Sequence, residues 1–210
     1  MNFRQFFKAN AAFFVPYSIL VVALAIYQLL YRQGIISLTI NKWHGNLADI
    51  FFKYFTHIGD GFFCIALSLV LYGYNKRKGL ALLAAYAISG ILAQALKNLA
   101  FAQEPRPAQY FHKMMQYIHT VDGVSLSHWN SFPSGHTTSA FALFSLLIFW
   151  ASSPLPKFLY LLVAILVGFS RLYLFQHFLV DVYAGSLLGV GVACSVYYYL
   201  TNRYRYDELL

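Results

Sequence analysis

Six apolar stretches of this sequence approach the length needed to cross a bilayer, and that leaves few folds open. About 20 helical residues span roughly 30 Å of hydrocarbon, and such runs lie near 11–31, 57–75, 79–100, 136–153, 156–174 and 177–200. Only 10% of residues are charged and 60% are hydrophobic, against about a quarter and about half in soluble domains. Helical runs of this length argue against a membrane-spanning barrel. The expectation is an all-α, polytopic membrane protein with six transmembrane helices, residues 1–210 forming a single integral-membrane domain. The first run has the length of a full span and lacks a small-residue cleavage site, so it reads as a retained anchor.

An even number of spans puts both termini on one side, and basic residues choose the side. The termini and inner turns carry Arg4, Lys8, Lys76, Arg77, Lys78, Lys157, Arg203 and Arg205. The other side carries Arg32, Lys42, Lys53, Lys97, Arg106, Lys113 and Arg171. With Lys97, Arg106 and Arg171 set aside as candidate site residues, the balance is eight against four. The termini are therefore expected in the cytoplasm. The net charge of +8 follows from this pattern and calls for membrane lipid or a phosphate substrate as partner, not nucleic acid.

Both long segments between spans fall on the outer side. In the first, near 34–60, Leu47, Ile50, Phe51, Tyr54 and Phe55 recur at helical spacing. In the second, near 101–135, Tyr110, Phe111, Met114, Met115 and Ile118 form a similar stripe. Each is expected to form a helix in the outer interface. Cys64 and Cys194 fall within spans and read as small buried apolar residues. The spacings of His44, His57, His112, His119 and His128 match no ordinary metal-ligand pattern, so no metal or other cofactor is expected.

Ionisable residues near these spans have less structural excuse. His177 and Asp181 stand four apart, within reach on one helix face. A carboxylate on one ring nitrogen fixes the histidine tautomer and makes the other nitrogen a better nucleophile or base. The same pair could simply tie two helices together. Arg171, at the end of the fifth span, offers a planar fork suited to phosphate, or snorkels to head groups. Ser134, Gly135 and His136 follow Pro133 at the start of the fourth span, where free backbone N–H groups favour an anion. Lys97 ends the third span, and Arg106-Pro107 opens the loop beyond it. All eight residues map to one face of the membrane, with no acidic cluster to hold a metal.

These residues resemble the signature of the type-2 phosphatidic-acid phosphatase family, whose core is shared with vanadium haloperoxidases. Pro133-Ser134-Gly135-His136 matches the second family motif. Ser170-Arg171, five residues, His177, three residues and Asp181 match the third without departure. In the first motif, Lys97 and Arg106 are separated by eight residues where the family has six. The resemblance implies His177 as the nucleophile forming a phosphohistidine, Asp181 orienting it, and His136 as acid and then base. It implies Lys97, Arg106, Ser134, Gly135 and Arg171 as phosphate-binding residues, and chemistry without a metal. The expected function is a lipid phosphate phosphatase with its site on the periplasmic face of a bacterial inner membrane. Lipid A, undecaprenyl pyrophosphate, phosphatidylglycerol phosphate and phosphatidic acid are the substrates considered. A transporter or flippase that binds a phosphorylated lipid without chemistry is the alternative.

Overall fold

Residues 3–203 are described by the computed structural model, and every regular element among them is helical. α1 (Phe3–Ala9) and α2 (Ala11–Leu30) lead into α3 (Ile35–Asn41) and α4 (Asn46–Phe55). A 3-10 turn, Thr56–Gly59, joins α4 to α5 (Gly61–Tyr74), and α6 (Lys76–Ala95) follows after Asn75. A π-helical turn, Leu96–Ala100, extends α6, and α7 (Pro107–Tyr110) and a 3-10 turn, His112–Tyr117, lie in the long loop beyond. α8 (Gly135–Trp150), α9 (Pro154–Tyr173) and α10 (Leu179–Arg203) complete the described chain. Arg205, counted in the charge balance, lies outside the described residues.

Four helical segments are long and apolar enough to cross a membrane: Ala11–Leu30, Lys76–Ala100, Pro154–Tyr173 and Leu179–Thr201. A fifth arises if Asn46–Gly59 and Gly61–Tyr74, bent by 57° at their junction, act as one span. The second of the six expected spans is therefore divided. The bend has a local cause, because Asp60 turns its side chain to cap α5, accepting the Phe63 N–H at 3.2 Å. Gly59 packs so closely on α8 that a Cβ there would lie 2.8 Å from the His136 carbonyl oxygen.

α8 is the fourth expected span, and at 16 residues it is short. It is also the centre of the bundle, with 12 of those residues buried. A helix apolar on every side is stable only when protein surrounds it, and α5, α6, α9 and α10 pack around this one. The closest approach is to α10. A Cβ on Gly189 would stand 2.5 Å from the Thr138 carbonyl oxygen, and one on Gly185 2.8 Å from that of Ser134. The small-residue spacing in the last span thus lets α10 lie directly on α8.

Three further expectations change. Lys76, Arg77 and Lys78 form the first turn of α6 instead of a loop, with Asn75 capping the Lys78 N–H at 3.0 Å. Lys157 is no surface charge: it is buried, donating to the Ala9 carbonyl at 2.9 Å and Asn10 Oδ1 at 2.7 Å. It locks the α1–α2 corner against α9. The second long segment folds into short helical turns in place of one amphipathic helix. Asn41 ties it to α3 through the His119 backbone, at 2.8 and 3.0 Å. The His119 ring then meets Asp49 of α4 at 2.9 Å. Cys64 is fully buried in the core and Cys194 is half-buried, both as free thiols.

Gly189→Ala should destabilise the protein by about 1–3 kcal/mol, the usual cost of forcing a group into a filled core. Gly191→Ala, where an added Cβ meets nothing within 4 Å, should be neutral or slightly stabilising. Unfolding of both variants in detergent micelles checks the contrast.

Candidate active site

α9 ends in a tight reversal that carries the chain from Arg171 to His177. The N–H groups of Gln176 and His177 both donate to the Arg171 carbonyl, at 3.0 and 3.2 Å. Phe175 takes a left-handed φ of +56° to make the turn, a conformation that costs a bulky residue about 1–2 kcal/mol. Burial of its ring, 1% exposed and packed near Phe111, offsets that cost. His177 is thereby held in the turn, just ahead of α10.

His177 therefore does not share a helix with Asp181, as its spacing suggested. Asp181 sits in the first turn of α10, and its Oδ2 reaches back to the Phe178 N–H at 2.8 Å. This is half of a capping box, in which the third helical residue satisfies the backbone at the helix start. The same Oδ2 accepts from the Ser131 hydroxyl and lies 3.3 Å from His177 Nδ1. The backbone carbonyl of Asp181 accepts from Ser134 N–H at 3.0 Å. With Nδ1 facing the carboxylate, Nε2 is left as the free nitrogen of the ring. Burial holds the His177 imidazole neutral, well below its ordinary pKa, and the nearby Arg106, Arg171 and Lys97 charges push the same way.

Three cations stand around this ring, and each is held by uncharged oxygens. Arg171 is buried and donates to the Thr56 hydroxyl at 2.7 Å, while its Nε has no partner among the described residues. Lys97, carried on the π turn, donates to the Asn130 and Ser131 carbonyls at 2.7 and 3.4 Å. Arg106 donates to the Trp129 carbonyl at 2.9 Å, and to the Gln176 carbonyl and Oε1 at 3.4 and 3.3 Å. Burial lowers the Arg106 pKa somewhat from its usual value. Among the described residues, no carboxylate forms an ion pair with any of the three. Their charge is therefore available to a ligand.

Ser134 caps α8, accepting from the Thr137 N–H at 3.4 Å and its hydroxyl at 2.9 Å. Its side chain is fully buried and lies outside the lining of the cavity. Gly135 and His136 do line it, together with Lys97, Arg106, Arg171 and His177, around about 470 Å³ of space. No aspartate or glutamate is among the described lining residues. The arrangement fits an anion placed between a histidine nitrogen, three cations and a helix N-terminus.

Sequence reasoning missed Thr56, Gln176, Asn130 and Ser131. Gln176 is one of the five intervening positions of the third motif, and Asn130 and Ser131 fall just before the second, but their roles depend on contacts across the fold. Among the loop histidines, His57 pairs with Asp60 at 2.9 Å, and His44 stacks on His119 at 4.1 Å. No group of three or more described His, Cys, Asp or Glu residues is placed to hold a metal.

The profile of the PAP2 superfamily matches residues 78–205, more than half of the chain. The chain is 28% identical over 149 residues to phosphatidylglycerophosphatase B of Bacillus subtilis, covering 64% of this chain and 66% of that protein. It spans about half to two thirds of the length of the curated relatives it matches. The crystal structure of Aquifex aeolicus LpxE is similar, with a TM-score of 0.66 and 30% identity over 78% of this chain and 93% of that one. A transmembrane PAP2-type phosphatidylglycerolphosphate phosphatase from Bacillus subtilis shares the fold. Its TM-score is 0.66 at 24% identity, covering 94% and 98% of the two chains.

Because no described carboxylate pairs with the three cations, inorganic phosphate should stabilise the fold. At a concentration about 100 times its Kd the gain is about 2.7 kcal/mol. Thermal unfolding in micelles, with and without phosphate, measures it. Arg171→Gln should remove most of the gain.

Proposed function

The chain belongs to the PAP2 superfamily, and we propose that it is an integral membrane phosphatase that removes phosphate from a lipid through a phosphohistidine intermediate, without a metal. The observation that carries this reading is His177, held by Asp181 in a cavity with three cations that no described carboxylate pairs with. Six crossings complete the proposed topology, with the bent α4–α5 pair as the second and α8 as the fourth. The termini then lie in the cytoplasm, and the site lies at the outer face of a bacterial inner membrane.

In the first step, Nε2 of His177 attacks phosphorus in line, and the bond from phosphorus to the lipid oxygen breaks. Asp181 accepts a hydrogen bond from Nδ1–H and stabilises the positive charge the ring acquires. His136 gives its proton to the departing oxygen, which leaves as the lipid alcohol from a monophosphate or as the lipid monophosphate from a pyrophosphate. In the second step, His136 takes a proton from water as that water attacks the phosphohistidine. The phosphorus–nitrogen bond breaks, and phosphate and free His177 result. Lys97, Arg106, Arg171 and the Gly135 N–H stabilise charge on the equatorial oxygens in both steps. Ser134 contributes by fixing the start of α8. The candidate substrates are lipid A, an undecaprenyl pyrophosphate, phosphatidylglycerol phosphate and phosphatidic acid.

Phosphate release from a panel of these lipids, in detergent and EDTA, tests the reading. Release should be unaffected by EDTA, and His177→Ala should lower it by at least about 10³-fold, as for loss of a nucleophile. Release that EDTA abolishes, or that survives in His177→Ala, overturns the mechanism.

The pH profile supplies a second check. A histidine attacks only when neutral, and burial keeps His177 neutral below the pH at which an exposed histidine protonates. The acid limb of kcat/KM due to His177 should therefore lie well below pH 6.5, the ordinary imidazole value of about that size. Correction for the substrate's own phosphate titration, near pH 6, is needed.

A further inference from the structure

The cavity carries more positive and titratable groups than the reacting phosphate uses, and the surplus lies to one side. Lys53 projects from α4, and His57 from the 3-10 turn that follows; both line the same space as His136 and His177. Neither belongs to the family motifs, and neither has a task in the reaction above.

Their placement is specific. The Lys53 ammonium is turned to the cavity, where it donates to the Asp122 carbonyl at 2.6 Å. That acceptor is neutral, and two of the three N–H donors remain. Gly123, at a left-handed φ of +75°, makes room for the group: a Cβ there would lie 2.7 Å from Lys53 Nζ. The His57 ring is held through Nδ1 by Asp60 Oδ2 at 2.9 Å, while the other Asp60 oxygen caps α5. Nε2 is thus left free on a side chain 65% exposed. In its protonated form the ring offers that N–H to an anion. Ser125 and Ser127 also line the cavity.

We infer that Lys53 and His57 form a second anion subsite, which selects lipid headgroups bearing a further negatively charged group beside the phosphate that is removed. The inference rests on the phosphatase reading. The first anion lies against His177, Lys97, Arg106 and Arg171, and the second faces α4 and the 122–127 loop. Lys53 and His57 are specificity residues that touch the substrate away from the reacting bond.

The test uses the full chain in micelles and two lipids with the same chain, one a diphosphate and one a monophosphate. The quantity read is the ratio of their kcat/KM values. In Lys53→Gln and in His57→Asn this ratio should fall about tenfold or more, the scale of a lost hydrogen bond to a charged group. Lys53→Arg should keep most of it. A ratio unchanged in both Lys53→Gln and His57→Asn, whatever the total rate, overturns the subsite. If the wild type released phosphate from neither lipid, the phosphatase reading would fail. Calorimetry with inorganic pyrophosphate and phosphate would then decide the subsite alone. It stands if pyrophosphate binds more tightly and Lys53→Gln removes that preference, and falls if the two anions bind alike.

Discussion

The Asp181 carboxylate is the point on which the rest of the site depends. One oxygen accepts from the Ser131 hydroxyl and the Phe178 N–H and faces His177 Nδ1, while the residue's own carbonyl receives Ser134 N–H. A single residue thus joins the loop before α8, the turn after α9 and the first turn of α10. A carboxylate buried this deeply is stable only when its lone pairs are satisfied, so the three segments cannot separate cheaply. The same hydrogen bonds that solve the burial problem set the histidine tautomer and aim its free nitrogen.

Around this anchor the cations are positioned by a different rule. Carbonyls hold Lys97 and Arg106, and a hydroxyl holds Arg171. A carboxylate partner would position an arginine as well, but would also neutralise it and compete with a phosphate ligand. Neutral acceptors fix geometry while leaving the charge uncompensated, which is a cost to the folded state. The sheathed position of α8 and the close α8–α10 contact through Gly185 and Gly189 give the scaffold that tolerates it. Preorganised charge of this kind stabilises a developing anion without rearrangement at the moment of reaction.

Much of this was legible in the chain itself, and the limits have physical causes. Long apolar runs located most of the helices, since a span has to satisfy its backbone internally. Gly59 and Asp60 lie within the second run, where the Asp60 cap on α5 and the packing of Gly59 against His136 together bend the chain. His177 and Asp181 were paired by helical spacing, but the contact is made by a turn residue and a helix cap. Lys157 looked like a loop charge because sequence cannot reveal that Asn10 and the Ala9 carbonyl wait for it across the bundle. Thr56 lies 115 residues from Arg171, and no local pattern connects them.

The uneven spacing of the first motif shows which distances along the chain matter. Between His177 and Asp181 the count is rigid, because one turn and one helix start must place a ring against a carboxylate. From Pro133 to His136 it is rigid as well, because those residues begin a helix. Lys97 and Arg106 sit on either side of a junction. There a π turn, with Phe101 N–H bonded to the Leu96 carbonyl at 2.9 Å, precedes a turn in which Gln103 takes a φ of +68°. Such a junction absorbs additional residues. What holds the two cations is their common acceptor region, the 129–131 backbone, which receives Lys97 from one side and Arg106 from the other. The spacing between them is therefore free to vary so long as both tips return to those carbonyls. Eight intervening residues, against the family's six, leave the lysine lining the same cavity as the arginine.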